Sequence, residues 1–125
     1  MAIIKLQKSN YPSSPNMYLG ASCPEMVSLC LTAPDKSGTL AEQTRQILDI
    51  IEGHLFEVRS SRKKLLMAQV WLADISGFPE FRDIWNAWID ADNIPALSVV
   101  EAQASRRDSL VEIRAYAAPG NSITS

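Results

Sequence analysis

Pro95-Ala96-Leu97-Ser98-Val99-Val100-Glu101-Ala102 is the stretch on which the fold turns. Proline lacks a backbone N–H and disfavours helix in the residue before it, so Pro95 closes whatever helix precedes it. Beyond Pro95, Leu97, Val99 and Glu101 alternate with Ser98, Val100 and Ala102. That period of two is the pattern of a strand. The segment is therefore a helix-to-strand junction, with Leu97 at its centre.

Working upstream, Phe81, Ile84, Trp85 and Trp88 recur at helical spacing after Ser76-Gly77-Phe78-Pro79-Glu80. A proline in a first helical turn costs little, because its missing N–H would be unpaired there anyway. Residues 65–74 read as a long strand with apolar residues in both alternating sets. Leu65, Met67 and Trp71 fall on one side, and Leu66, Ala68, Val70 and Leu72 on the other. Such a strand needs cover on both faces. Arg59-Ser60-Ser61-Arg62-Lys63-Lys64 is a polar connection whose four positive charges complement the C-terminal dipole of a preceding helix. That helix starts with Thr39 and Glu42 in a capping-box pattern. Leu40, Thr44, Ile47, Ile51, Leu55 and Val58 form its apolar stripe, while Arg45, Gln46, Asp49 and Glu52 face solvent. His54 is expected at the surface or its boundary.

Three short strands precede this helix, over residues 3–6, 17–21 and 26–32, with a Pro- and Ser-rich turn region at 9–16. In the third, Val27, Leu29 and Leu31 alternate with Ser28, Cys30 and Thr32. Downstream of the opening stretch, Val111, Ile113, Ala115 and Ala117 alternate with Leu110, Glu112, Arg114 and Tyr116. Residues 119–125 read as a disordered tail, leaving one domain over 1–118. The order is strands, helix, strand, helix, two strands. This predicts an α/β (α+β) fold, a mixed sheet of about six strands with two helices on one face. Trp71, Met67, Leu97, Val99 and Leu110 are expected on the other face, as an apolar patch that calls for self-association.

The 125 residues suit one domain with its own core, at 46% hydrophobic and 21% charged. A net charge of -2 offers no electrostatic footprint for nucleic acid. No apolar run approaches the ~20 residues needed to span a bilayer. The first residues lack the basic and apolar regions of a signal peptide, so a cytoplasmic location is expected. Cys23 and Cys30 lie too far apart for a tight metal spacing, and only His54 is available to join them. Reduced thiols are expected, with no metal and no cofactor.

Several stretches in register resemble the RidA/YjgF family of reactive-intermediate deaminases, whose members also carry the label endoribonuclease L-PSP. Glu42-Gln43-Thr44-Arg45-Gln46-Ile47-Leu48-Asp49-Ile50 is similar to the family's Gln-Thr-x-Gln-x-Leu-x-Asn-Ile helix. Val70-Trp71-Leu72-Ala73-Asp74-Ile75-Ser76-Gly77-Phe78 is similar to its Val-Phe-Leu-x-Asp-Leu-x-x-Phe strand and turn. The Pro95-Ala96 stretch resembles Pro-Ala-Arg-x-x-Val, and Val111-Glu112-Ile113-Arg114-Ala115-Tyr116-Ala117 resembles the closing Val-Glu-Ile-x-Ala-x-Ala strand. The resemblance implies a chorismate-mutase-like fold. It also implies a homotrimer whose sheets form a central barrel with the helices outside. Small carboxylated ligands would bind in three clefts between subunits.

It also implies an altered cleft. Leu97 stands where the family's arginine holds the substrate carboxylate, and Val99 where many members have cysteine. Cys30-Leu31-Thr32 replaces Ser-Gly-Gln, Arg82 falls where many members have asparagine, and Met17 or Tyr18 falls near the family's tyrosine. Glu112 matches the glutamate that positions water and shuttles a proton. Hydrolysis of a 2-imino acid requires a held carboxylate, an aimed water and a proton for the leaving nitrogen. Arginine's planar fork makes two charge-assisted bonds to a carboxylate, and leucine makes none. Losing one partner of a buried charge pair costs about 2–5 kcal/mol, so ordinary deaminase activity is expected to be lost or altered.

Three functions compete. One is a protein that binds a small metabolite between subunits. The second is a working imine or enamine deaminase, a hydrolase, with Arg82 as relocated anchor. The third is a non-catalytic interaction or chaperone-like protein. Glu112 has a structural alternative as well, an ion-pair network with Arg114.

Overall fold

Thr39 begins the longer helix as its sequence pattern requires. Glu42 N donates to Thr39 Oγ1 at 3.2 Å, and Thr39 N donates to Glu42 Oε1 at 2.8 Å, completing the capping box. The computed structural model describes residues 2–120. Of the expected tail, Pro119 and Gly120 are irregular chain, and residues 121–125 lie outside the described residues.

In chain order the elements are β1 (Ile4–Lys8), β2 (Tyr18–Ser22), β3 (Val27–Thr32), α1 (Leu40–Glu57), β4 (Leu65–Leu72), α2 (Phe78–Trp88), β5 (Ala96–Glu101) and β6 (Val111–Ala117). One six-stranded sheet runs β1-β2-β3-β6-β4-β5, parallel only between β4 and β5. A parallel pair needs a crossover, and α2 supplies it. α1 crosses from β3 to β4, and β6 returns to lie between them. This is the expected mixed sheet. The core lies between it and the two helices, where Ile47, Ile51 and Leu55 of α1 and Phe81 and Trp85 of α2 are buried with Leu29, Val70 and Ile113 of the sheet.

Strand boundaries shift by one or two residues from the sequence reading. β4 stops at Leu72, short of 74, because the Asp74 side chain accepts from Ser76 N at 2.9 Å and starts a 3-10 turn over Ile75–Gly77. The polar connection ends in a similar turn over Arg62–Lys64.

Two facial assignments need correction. In β4, Leu65 pairs with Ala117 and Met67 with Tyr116, so Leu66 is an extra residue in a bulge. A one-residue insertion reverses the facing of everything before it. Leu65 is accordingly buried at 6% exposure and Leu66 is 50% exposed, the opposite of strict alternation. In β5, Val99 pairs with Val70 and Leu97 with Ala68, while Val100 pairs with Trp71. Leu97 and Val99 therefore share the helix-covered face, and Val100 joins Trp71 and Met67 on the open one. Val99 packs against the core, and Val100 is 44% exposed. Alternation separates the two sets, but only the pairing with β4 decides which set looks inward.

Two polar side chains are more deeply placed than their sequence suggests. His54 is only 9% exposed, with Nδ1 2.6 Å from Glu57 Oε1 and Nε2 3.0 Å from Gln7 Oε1, tying β1 to the end of α1. Gln43 is fully buried. Its Nε2 donates to the carbonyls of Gly38, Asp108 and Lys36 at 3.1, 3.2 and 3.3 Å, and its Oε1 accepts from Leu110 N at 3.0 Å. It thus joins the start of α1 to the chain entering β6.

Gln43→Leu keeps the volume but strands the Leu110 N–H and the carbonyls, each unmet group costing roughly 1–3 kcal/mol. Urea unfolding should show a loss of about 3 kcal/mol or more. Gln46→Ala, on the half-exposed side of the same helix, should lose less than about 1 kcal/mol. Equal losses would refute the clamp.

Candidate functional site

The open face of the sheet gathers the chemistry. Antiparallel pairing sets Thr32 of β3 opposite Glu112 of β6, and Cys30 opposite Arg114. On the other flank of β6, Trp71 lies opposite Glu112 and Gln69 opposite Arg114. Cys30 Sγ donates diagonally to Glu112 Oε2 at 3.4 Å. Lys36, in the loop leaving β3, turns back so that Nζ donates to Thr32 Oγ1 at 3.0 Å and to the Ala33 carbonyl. The Arg114 guanidinium carbon sits 5.0 Å from the Trp71 ring centroid, a cation–π contact.

The electrostatics follow from this order. Burial pushes the Cys30 thiol up from its ordinary value, and the negative charge and hydrogen bond of Glu112 push the same way; Arg114 opposes them. The thiol is therefore a protonated donor at neutral pH and a poor nucleophile. Burial lowers the Lys36 ammonium, and Arg106 adds to the effect against Asp108 and Glu112. The arrangement is a carboxylate steadied by a neutral thiol, with a cation on either side.

The expected site residues divide sharply. Glu112, Cys30 and Thr32 meet on the open face. Leu97 and Val99 belong to the opposite face of β5, with Leu97 40% exposed at the sheet edge. Tyr18 begins β2 opposite Lys8, in phase with buried Gly20 on the helix side, and is itself exposed. Arg82 projects from α2, half exposed, where Nε donates to Asp83 Oδ1 at 3.1 Å. Within one chain the sheet separates it from Glu112. Sequence reasoning missed Lys36 and Trp71 as neighbours of Glu112. The alternation of β6 does place Arg114 beside Glu112, whereas nothing in the sequence signals that the Lys36 loop folds back.

Among the described residues, no three metal-ligating side chains converge on one point, and no helix is long and apolar enough to cross a membrane. Two surface depressions lie on the helical side, one at the start of α1 around Asp35, Glu42 and Arg45, the other between α1 and α2 around Leu48, Ile84 and Trp88. The sheet stands between them and Glu112.

At pH 8, Cys30 should react with iodoacetamide several-fold more slowly than an unhindered cysteine, because only the thiolate attacks. Glu112→Gln removes the negative charge that raises the thiol, so alkylation of Cys30 should accelerate in that variant. Peptide mass mapping reads both rates; a slower or unchanged rate in the variant would contradict the Cys30–Glu112 coupling.

Comparison with known proteins agrees with this architecture. The family model described as Endoribonuclease L-PSP matches residues 31–119. A RutC family protein of Haemophilus ducreyi is 31% identical over 79 residues, which span 63% of this chain and 68% of that protein. The crystal structure of a YjgF-family protein from Neisseria meningitidis superposes with a TM-score of 0.85 at 27% identity, covering 98% of each chain. A family member from Mycobacterium tuberculosis shares the fold at a TM-score of 0.82 and 22% identity, over 94% of this chain and 99% of that one. With most of its length inside the family pattern and its whole sheet shared with these structures, the chain belongs to the YjgF/RutC, or endoribonuclease L-PSP, family.

Proposed function

We propose that this protein binds a small metabolite in clefts between the subunits of a homotrimer, with ordinary 2-imino-acid deaminase activity lost or altered. The observation that carries the reading is Glu112 on the uncovered sheet face, steadied by Cys30 and flanked by cations. The same face exposes Val100 and leaves Met67, Trp71 and Leu110 half-buried, apolar surface that favours cover by further copies of the chain. Two free thiols fit a reducing, cytoplasmic setting.

In chemical terms Glu112 supplies the acid/base group. A carboxylate within reach of a bound imine accepts a proton from the attacking water and returns it to the departing nitrogen. The weak point is orientation. Leu97 makes no bond to a carboxylate, and its face of β5 is not that of Glu112. A ligand would have to meet the two residues from different subunits. The second reading, a hydrolase anchored by Arg82, has the same requirement. Its guanidinium lies on the helix layer beside Asp83 and would have to serve a neighbouring subunit's Glu112.

Native mass spectrometry should find a trimer; a monomer throughout the micromolar range would overturn the cleft reading. In a coupled assay on freshly generated 2-imino acids, turnover should fall at least about 30-fold below that of an arginine-bearing family member. Comparable turnover would refute the role given to Leu97. If residual turnover is detected, Glu112→Gln should abolish it, and Arg82→Ala should leave it intact unless Arg82 is the anchor.

A further inference from the structure

The outer face of α1 points away from the sheet, and so away from the face where further copies are proposed to gather. Arg45, Asp49, Glu52 and Phe56 recur there at steps of four, three and four residues, which is one stripe of a helix. Phe56 is 82% exposed, more than any other large apolar residue described. Arg45 and Asp49 are exposed and lie one turn apart, yet none of the four ion pairs among the described residues includes either of them. Arginine before aspartate is the less favourable order for pairing along one helix. Gly53 lies on the same side. A glycine inside a helix is destabilising relative to alanine, and nothing in its own chain requires this one, since a Cβ there would meet no atom within 4 Å.

One two-fold operation accounts for all of these. Two α1 helices laid antiparallel, about an axis midway between Arg45 and Asp49, set Arg45 of each copy against Asp49 of the other. A two-fold contact is reciprocal, so both charge pairs form together. The same axis carries Phe56, seven residues beyond Asp49, to Gly38, seven residues before Arg45. Gly38 lies in the depression at the start of α1, about 390 Å³ in volume and bordered by Ser37, Glu42 and Arg45. The exposed ring of one copy thus meets a hollow on the other. Gly53 falls opposite Ala41, and two small residues let the helix backbones approach. Glu42 and Glu52 also meet, each already engaged within its own chain, Glu42 by Thr39 N and Glu52 by Arg62.

We propose that the outer face of α1 is a docking surface for a second copy of this chain, packed antiparallel about a two-fold axis. The surface lies outside any assembly made through the open sheet face, and it does not depend on the cleft reading.

Two single helix faces make a small contact, of the transient class below about 1,200 Å² in total, so the test is run at about 100 µM protein. Native mass spectrometry and sedimentation of the intact protein should show the basic unit, trimer or monomer, in equilibrium with species of twice its mass. Arg45→Asp and Asp49→Arg each set like charges against one another and should each reduce the doubled species at least about 10-fold. Mixed in equal amounts, the two variants should recover it, because every new charge then meets its opposite. Phe56→Ser should suppress it by emptying the hollow. Gly53→Gln should suppress it as well, while thermal melting stays level or rises, since the longer side chain has open space in its own chain. Doubling at full strength in Phe56→Ser or Gly53→Gln, or no recovery in the mixture, overturns the surface. A trimer that never doubles at this concentration overturns it too and leaves the cleft reading standing. A monomer–dimer equilibrium that obeys the same variants upholds it and removes the cleft reading.

Discussion

The buried amide of Gln43 holds the rest of the structure in register. It bonds the turn that starts α1 and, through Leu110 N and the Asp108 carbonyl, the last residues before β6. β6 must enter between β3 and β4, whose connection through α1 was made much earlier in the chain. A buried side chain with several satisfied hydrogen bonds specifies one arrangement, because any slip would leave those groups unpaired in a low-dielectric interior. Glu112 lies two residues beyond Leu110. The clamp that registers the strand therefore also sets where the carboxylate stands.

Around Glu112 the sheet does by pairing what a loop-built site does by folding. Thr32 and Trp71 lie opposite it on the two neighbouring strands, and Cys30 reaches its Oε2 diagonally. Each position follows from the register of a hydrogen-bonded ladder, so the geometry is as rigid as the sheet. The polar residues gathered here occupy the half-covered face, while the opposite face buries Leu29, Val70 and Ile113 beneath the helices. One strand thus serves both roles. β6 alternates Glu112, Arg114 and Tyr116 outward with Val111, Ile113 and Ala115 inward.

Much of this was legible in the residues. The capping box at Thr39, the two helices, the six strands and the family pattern all rest on local chemistry, where periodicity and hydrogen-bonding residues act within a few positions of one another. The alternation of β3 and β6 likewise sets Cys30 and Glu112 apart from the buried apolar residues beside them. The grouping of Leu97 and Val99 with Trp71 was not correct. A strand's alternation divides its residues into two sets, and the partner strand decides which set is inward. The Leu66 bulge has the same lesson, since one extra residue reversed the facing of Leu65.

By itself, then, the sequence determined the elements, their order and the family pattern they carry. Those features follow from short-range propensity and from motif spacing. Only the tertiary structure decided that β6 lies between β3 and β4, that Leu97 and Glu112 occupy opposite faces, and that Lys36 and Arg114 flank Glu112. The reason is physical. These facts depend on pairing between segments far apart in the chain, as in the bond from Cys30 to Glu112 across 82 residues, and no local pattern encodes the register in which distant strands meet.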